Sequence, residues 1–367
     1  MSIAHNTKKR GNWVKWILLI VLILLAEFLK FHPVFIEKYY SNGFYPVFSL
    51  LLRIMMGWIP FSAGDLLLGG TIGWLLFRLV RNLSQPKKNL SYSAFATQVE
   101  KWAGRLVMLY LVFLTVWGFS YYRLGSAYQL HLQPGVYSNE DLARLLDQLQ
   151  YKLDHITADS SSIEAGKTSN RKMLSDQAMA AYQKAARQYT FLAFRQASLK
   201  PMLLGKIQNY TGYAGYLQPF TGEAQVNFYG PAYDLPFTVC HEMAHQLGYG
   251  SESEANMIGF LACSNSSDPT AQYSAYSNMQ GYALLEMSNR DSVLFRDYRD
   301  RTPAILKKDR ENAQLFYQAH ESLMQPVLNW VYTRYLYSNN QAMGLDSYNY
   351  VVAWLIAYGK KYGWQAI

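Results

Sequence analysis

Two histidines four positions apart, with a glutamate directly after the first, lie in residues 241–245, which read His-Glu-Met-Ala-His. On a helix such histidines share one face, so His241 and His245 can bind a single cation. A catalytic Zn²⁺ takes three protein ligands and leaves a fourth position to water. Glu242 is placed to reach that water rather than the metal, and to act as the base that removes its proton. The pattern therefore predicts a hydrolytic zinc site.

The motif fixes only three positions, so the residues around it have to support it. Pro236 indicates a helix start just before the motif, and Gly248 indicates the helix end just after it. A second helix is predicted to begin at Ser251, with Glu254 three residues later as in a capping box. A helix, a tight turn and a second, acidic helix can bring a third ligand back to the metal. The alternative is a surface helix with two solvated histidines.

Two glutamates compete for the third ligand position. Glu252 and Glu254 point about 200° apart on a helix, so only one of them can face the metal. The segment 252–256 resembles the second motif helix of the gluzincin peptidases, Glu-x-x-x-Asp, with asparagine in the aspartate position. The resemblance implies Glu252 as the ligand and Asn256 as an uncharged hydrogen-bond acceptor for a histidine N–H. Glu254 is the alternative ligand, and otherwise a helix-capping or solvated carboxylate.

Longer stretches of the chain resemble an uncharacterised family of bacterial membrane proteins with a predicted zincin domain, domain of unknown function family 3810. The similar stretches are 222–227, 235–246, 254–256 and 260–263, together with 45–46, 52–53 and 59–65. The resemblance implies a membrane-anchored protein of metallopeptidase type. It implies no particular substrate.

The N-terminal third of the chain is apolar enough to enter a membrane. Of the 367 residues, 50% are hydrophobic and only 16% are charged. Three segments approach the roughly 20 residues that a bilayer requires, namely 13–31, 63–80 and 102–121. The first lacks a small-residue cleavage site and is predicted to be an uncleaved anchor. Segment 45–59 is short, contains Arg53 and is followed by Pro60, which favours an interfacial or re-entrant segment.

Basic residues predict the orientation of these segments. Lysine and arginine concentrate before residue 13 and in the loop between the second and third spans. Because such residues stay on the cytoplasmic side, the N-terminus is predicted to be cytoplasmic. Three crossings then place the rest of the chain outside the cytoplasm. The prediction is a multi-pass cell-membrane protein with a membrane domain at 1–122 and an extracytoplasmic catalytic domain at 123–367.

A net charge of +9 is also found in proteins that bind nucleic acid. The positive-inside rule already accounts for much of this excess, and no base-reading motif is present, so we expect no nucleic-acid partner. The lipid bilayer, with its anionic headgroups, is the expected counter-charge.

The two cysteines, Cys240 and Cys263, each lie in one of the two motif segments. If the two helices pack antiparallel, the cysteines could form a disulfide in an oxidising compartment. Two buried thiols that act as small apolar side chains are the slightly favoured alternative.

The predicted fold class is mainly α, with N-terminal transmembrane helices followed by a zincin-like α+β metallopeptidase domain with a small sheet. Residues 224–229 alternate in polarity and predict a strand. In zincins the strand before the metal helix forms the sheet edge along which an extended peptide lies, so 224–227 are expected beside the substrate. An ordinary hairpin strand is an equal alternative. Helices are predicted at 176–197, 272–289, 309–337 and 346–362, and an exposed loop at 157–175.

A zinc peptidase also gains from a donor that stabilises the oxyanion of the tetrahedral intermediate. His320, Tyr332 and Tyr335 are the candidates in the C-terminal helices. Because the chain holds 30 tyrosines, the sequence does not choose among them.

Together these features predict a membrane-anchored zinc metallopeptidase that hydrolyses peptide bonds in a peptide or protein near the membrane. Zn²⁺ is the predicted cofactor, held by His241, His245 and Glu252, and Glu242 passes the proton to the leaving amine. The alternative is a non-catalytic zincin-fold module that binds peptides or acts as a sensor. The intact Glu242 favours the enzyme. A structural membrane protein whose histidines bind no metal is the third hypothesis.

Overall fold

In the residues that the structure describes, the protein is mainly helical and contains one small sheet. The computed structural model describes residues 3–84, 92–341, 344 and 350–367. The longer helices are Ile3–Lys30, Tyr45–Gly57, Ala63–Ser84, Tyr92–Val116, Asn139–Ile156, Arg171–Ala185, Leu235–Gln246, Glu252–Ser264, Pro269–Arg290, Ser292–Arg301, Ala304–Ala319, Met324–Ser338 and Val351–Tyr362. Shorter α-helical segments are Pro33–Phe35, Gly125–Gln129, Ser160–Gly166 and Gly205–Gln208, and Ile36–Phe44 is π-helical. Five 3₁₀ segments also occur in the described residues: Gly118–Tyr122, Thr157–Asp159, Thr190–Leu192, Asn209–Thr211 and Trp364–Ala366.

Of the three predicted membrane spans, the second has the clearest counterpart. Within the described residues, one helix is long and apolar enough to cross a membrane, and it covers Ala63–Asn82. The other two predicted spans fall in the helices Ile3–Lys30 and Tyr92–Val116. The last of these ends five residues before the predicted limit at 121, where a 3₁₀ turn replaces it. Whether those two helices cross a membrane stays a prediction.

The helix Tyr45–Gly57 has one polar face that packs against the later part of the chain. Tyr45, Ser49 and Arg53 recur every four residues, so they lie on one face, and all three are buried. Val47 and Ile54, on the remaining surface, are exposed. The predicted interfacial segment is therefore a helix that the protein covers on one side. This packing also joins the predicted membrane domain to residues beyond 123.

The sheet has three strands in the order β1-β3-β2. Strand β1 (Leu199–Pro201) is parallel to β3 (Glu223–Val226), and β2 (Gly215–Gln218) is antiparallel to it. The prediction of a strand from residue 224 is confirmed, although the strand ends at 226. Its predicted place at the sheet edge is wrong, because β3 is paired on both sides and entirely buried. The edge strands are β1 and β2, and β2 contacts the helix Leu235–Gln246.

The sheet also holds the start of the helix Ala63–Ser84, which contains the candidate membrane span. Glu223 accepts hydrogen bonds from the backbone N–H groups of Ala63 and Gly64, at 3.1 and 2.6 Å. A carboxylate there satisfies N–H groups that lack a partner within the helix and complements the positive end of the helix dipole. Asp65 accepts the backbone N–H of Leu203 at 2.8 Å. Helix Ala63–Ser84 is therefore fixed to the sheet at its first turn.

Several predicted helix limits differ from the structure. The predicted helix 176–197 is Arg171–Ala185, and the predicted loop 157–175 contains the helix Ser160–Gly166. The predicted helix 309–337 is two helices, because the backbone bends between Ala319 and Met324. Helix 272–289 lies within Pro269–Arg290, and the start of 346–362 lies outside the described residues.

Two helices carry the motif residues, and both are buried along their length. We call Leu235–Gln246 the first ligand helix and Glu252–Ser264 the second ligand helix. All the residues of the first ligand helix are buried, including the polar side chains of His241, Glu242 and Gln246. The predicted capping box does not form through Ser251, whose hydroxyl pairs with that of Ser253 at 2.9 Å instead.

The two ligand helices approach each other most closely at Gly259. A Cβ atom at this position would lie 3.0 Å from the backbone nitrogen of His241 and 3.1 Å from its Cα. A side chain here would therefore push against the backbone that carries the first histidine. Glycine is required by this approach between helices, and not by an unusual backbone angle.

We predict that Gly259→Ala destabilises the protein by about 1–3 kcal/mol, as overpacking of a dense core does. The measurement is thermal or denaturant unfolding of the full chain in detergent. Gly281→Ala is the matched control, because the nearest atom to its new Cβ lies 3.8 Å away, an ordinary contact. Equal stability of the two variants would contradict the close packing described here.

Candidate metal centre

The first ligand helix places both histidines on the face that meets the second ligand helix. The rings of His241 and His245 have centroids 4.9 Å apart and planes at 86°. Both side chains are buried. The edge of the Trp117 ring packs against His245 at 6.0 Å between centroids, so the end of an N-terminal segment borders the pair. The predicted four-residue spacing therefore brings the two imidazoles together.

Glu252 completes a three-residue cluster from the start of the second ligand helix. Its Oε2 lies 3.2 Å from His241 Nε2 and 3.6 Å from His245 Nε2. The ligand atoms of the three residues all lie within 4.8 Å of one another. In a tetrahedral zinc site with bonds near 2.1 Å, neighbouring ligand atoms are about 3.4 Å apart. The two measured separations bracket this value, so the cluster could hold a metal ion of that size.

Hydrogen bonds on the far side of each ring fix how the imidazoles point. His241 Nδ1 lies 2.8 Å from Asn256 Oδ1, and His245 Nδ1 lies 2.6 Å from the carbonyl oxygen of Tyr249. Because both partners are oxygen acceptors, each Nδ1–H donates to its partner, and each Nε2 faces Glu252. The orienting contact expected of Asn256 is therefore present in the structure.

The charges within the cluster stabilise the ionised carboxylate. Burial alone would raise the pKa of Glu252, but the charge and hydrogen bonds of His245 and His241 hold that pKa well below its usual range. Burial opposes protonation of His245, yet the Glu252 carboxylate outweighs it and raises the pKa of His245 to about 9. A carboxylate that stays ionised near neutral pH has the form that a metal ligand needs.

Glu242 lies beside the cluster without joining it. Its side chain is 4% exposed, and among the described residues its Oε2 has no hydrogen-bond partner. Burial raises the pKa of Glu242 to about 7. The carboxylate fits there because residue 215 is glycine, since a Cβ at Gly215 would lie 2.5 Å from Glu242 Oε1. A buried carboxylate with a free oxygen and a neutral pKa can both take up and release a proton.

Glu254 faces away from the cluster and is neither its third ligand nor solvated. Its Oε1 accepts the backbone N–H of Ser126 at 2.9 Å, at the start of the short helix Gly125–Gln129. The approach is so close that a Cβ at Gly125 would overlap the carboxylate. Of the two glutamates, Glu252 is therefore the one that lies with the histidines in a group that could hold a metal, and Glu254 caps a different helix.

The three candidate oxyanion donors, His320, Tyr332 and Tyr335, differ in whether they contact the cluster. The Tyr332 hydroxyl donates to Glu252 Oε1 at 2.7 Å, so it borders the cluster directly. The Tyr335 hydroxyl lies 2.8 Å from the hydroxyl of Tyr121 and is engaged there. His320 lies elsewhere, with its ring against Phe316. Of the three, Tyr332 is the one with a polar atom next to a cluster residue.

Two cavities of about 350 Å³ each open on either side of Glu242. Gly215, the first residue of the edge strand β2, lines both of them. The first cavity is bordered by polar groups that include Asp234, Asn278 and Asn329. The second has a lining rich in aromatic residues, namely Phe113, Trp117, Tyr121, Tyr216, Phe220, Tyr332 and Tyr335. The cluster therefore lies at the centre of a cleft with two different halves.

Residues from the N-terminal part of the chain support the turn between the ligand helices. Ser49 and Arg53 donate to the carbonyl oxygen of Gln246, at 2.8 and 3.1 Å. Arg123 donates to the carbonyl oxygen of Gly248 at 3.1 Å. These groups satisfy carbonyls left free at the end of the first ligand helix. Sequence reasoning missed these roles, although an arginine in the apolar segment 45–59 was a signal that it needed a polar partner.

Arg123 is itself held by a buried ion pair. Its Nη2 lies 2.9 Å from Glu37 Oε1, and both side chains are buried. Its guanidinium also stacks 4.4 Å above the Tyr249 ring. Tyr249 supplies the carbonyl that orients His245. The Arg123–Glu37 ion pair is therefore connected to the three-residue cluster through Tyr249.

The cysteines do not form a disulfide in the structure. Cys240 and Cys263 are both free and buried. Cys263 Sγ donates to the carbonyl oxygen of Ala271 at 3.0 Å. This arrangement agrees with the favoured alternative of two buried thiols.

Comparison with known proteins identifies the family. A sequence model described as a protein of unknown function (DUF3810) matches residues 40–356. The chain belongs to this family. No curated protein and no solved structure matches the chain. The matched region contains the helix Tyr45–Gly57 together with both ligand helices.

We predict that Glu252→Gln weakens divalent metal binding by more than about 100-fold, since changes in outer contacts alone commonly reach that size. Glu254→Gln is the matched control, because its amide oxygen can still accept the N–H of Ser126 and its side chain faces away from the cluster. Zinc affinity is measured by competition with a chelator. Equal losses in the two variants would contradict the assignment of the ligand.

Proposed function

We propose that this protein is a membrane-anchored zinc metallopeptidase. The observation that carries the proposal is the buried cluster of His241, His245 and Glu252 beside a buried carboxylate, Glu242, with an oxygen free to accept a proton. Structural metal sites are closed by protein ligands, whereas catalytic sites keep a coordination position open. Three ligands next to an open cleft fit the catalytic kind.

The donor set supports zinc as the cofactor. Two imidazole nitrogens and one carboxylate oxygen are ligands that Zn²⁺ accepts in hydrolases. When bound, the ion would lower the pKa of a water and polarise the substrate carbonyl. His241 and His245 would bind through Nε2, because their Nδ1 atoms are occupied by Asn256 and Tyr249.

Glu242 carries the proton transfer in this proposal. Its free Oε2 takes a proton from the attacking water and later delivers it to the leaving amine nitrogen. The raised pKa of about 7 allows both steps near neutral pH. Glycine at position 215 leaves space for the Glu242 carboxylate in the cleft, because a side chain at this position would displace the carboxylate.

The substrate would lie along β2 as an extended peptide. This strand is a sheet edge, so its outer backbone groups can pair with an added strand. Its first residue, Gly215, lies between the two cavities, which would take side chains on either side of the cleaved bond. The polar cavity and the aromatic cavity then favour different side chains. Tyr332 is the proposed oxyanion donor, because its hydroxyl lies next to Glu252.

The proposed location is the cell membrane, with several crossings and the cleft outside the cytoplasm. The candidate membrane helix Ala63–Asn82 and the distribution of basic residues support this orientation. The aromatic cavity is bordered by Phe113 and Trp117 at the end of the third predicted span. A peptide segment close to the membrane surface is therefore the proposed substrate class.

We predict that Glu242→Gln retains zinc and lowers peptide cleavage by about 10²–10⁴-fold, the usual contribution of a general base. The measurement uses the full chain with a peptide library and mass-spectrometric detection of new termini. The variant keeps the shape of the side chain and removes its ability to take a proton.

Zinc content separates the outcomes of this experiment. A zinc-loaded native protein that cleaves nothing in the library, or a Glu242→Gln variant that cleaves at the native rate, would refute the peptidase. A native protein that holds less than about half an equivalent of zinc would refute the metal site itself.

We predict that an impermeant maleimide labels Ser161→Cys in intact cells and leaves Ser84→Cys unlabelled until the cells are lysed. Ser161 is exposed in the predicted catalytic domain, and Ser84 is exposed at the end of the helix Ala63–Ser84, just beyond the second predicted span. The native cysteines are buried and give little background. The reverse labelling pattern would invert the proposed orientation.

A further inference from the structure

A separate cavity lies between the N-terminal part of the chain and the turn that joins the ligand helices. Its volume of about 480 Å³ falls within the roughly 300–1,000 Å³ typical of small-molecule sites. None of the cluster residues lines it. Its lining includes the polar residues Ser41, Asn42 and Gln129 and three arginines, Arg53, Arg123 and Arg195.

Arg53 brings a buried positive charge to this cavity. Its side chain is 4% exposed, and its Nε has no hydrogen-bond partner among the described residues. The guanidinium donates to the carbonyl oxygen of Gln246 and packs on the Phe194 ring. No carboxylate in the described part of the chain forms an ion pair with it. A buried charge without a counter-charge is destabilising, so an anion in the cavity would relieve this cost.

A second buried group without a partner lines the same cavity. Ser41 is 3% exposed, and its Oγ forms no hydrogen bond within the described residues. A hydroxyl can donate to an anionic oxygen. Two buried residues that each hold an unsatisfied donor atom therefore line one cavity, from adjoining segments, the π-helical stretch Ile36–Phe44 and the helix Tyr45–Gly57.

The remaining charges leave the cavity positive. Arg123 is neutralised by Glu37, so it adds no net charge. Arg195 is exposed at the cavity, and no carboxylate in the described ranges pairs with it. The uncompensated charge comes from Arg53 and Arg195. Val47 and Leu50 provide an apolar side to the same cavity.

We propose that this cavity binds a phosphate oxyanion, with Arg53 and Arg195 as its charge partners and Ser41 as an additional donor. Planar guanidinium groups match the oxygens of phosphate and form short, charge-assisted hydrogen bonds with them. The same chemistry would recognise a free phosphate group or the headgroup of a membrane phospholipid. The proposal does not rest on the proposed peptidase activity, because none of the three cluster residues lines this cavity.

The experiment measures binding to the full chain in an uncharged detergent by isothermal titration calorimetry at constant ionic strength. One arm titrates inorganic phosphate, and the other titrates soluble dihexanoyl phosphatidylglycerol. We expect saturable binding in at least one arm, and a roughly tenfold or greater loss of affinity in Arg195→Gln, because a charge-assisted hydrogen bond is removed. Arg187→Gln is the matched control, since Arg187 is exposed and lies outside the cavity.

The two arms distinguish the source of the oxyanion. Binding of inorganic phosphate indicates a free anion, and binding of the phospholipid alone indicates a headgroup site. Arg53→Gln should weaken binding in the same arm. Arg195→Gln is the decisive variant, because Arg195 is exposed and its replacement should leave folding intact. Absence of binding in both arms, or unchanged affinity in Arg195→Gln, would overturn the proposal.

Discussion

The burial of one carboxylate charge constrains the centre of this protein. Glu252 is removed from water and is stabilised by the two imidazoles and by the hydroxyl of Tyr332. Without such partners a buried carboxylate would be strongly destabilising. Three helices must therefore meet at one point: the first ligand helix, the second ligand helix and Met324–Ser338. The close approach at Gly259 is part of the same requirement, because it brings the backbone of His241 against the second ligand helix.

The segment before residue 123 is structurally part of the site. Free carbonyl groups at the end of the first ligand helix accept hydrogen bonds from Ser49 and Arg53, and Arg123 reaches the turn that follows. These contacts fix the turn that returns Glu252 to the histidines. A peptidase domain anchored by a flexible linker would not need them. The family match beginning at residue 40 agrees with a site that is built from both parts of the chain.

The small sheet links the proposed substrate path to the membrane helix. Its central strand β3 starts with Glu223, which caps the helix Ala63–Ser84, and its edge strand β2 starts with Gly215, which borders Glu242. One sheet thus contacts both the cleft and the candidate membrane span. Hydrogen bonds at the first turn of the helix therefore join it to the sheet that borders the cleft.

The sequence by itself determined the local features: the spacing of His241 and His245, the turn at Gly248, the helical character of the chain and the family resemblance. The structural features among these depend on contacts between residues that are neighbours along the chain. Tertiary structure alone decided that Glu252 faces the histidines while Glu254 caps another helix. The two residues lie on different faces of one helix, and only the packing of the other helices shows which face meets the histidines. It also decided that β3 is central, since the three-residue strand β1 is too short to predict. The roles of Ser49, Arg53 and Arg123 were equally hidden, because their partners lie more than a hundred residues away along the chain.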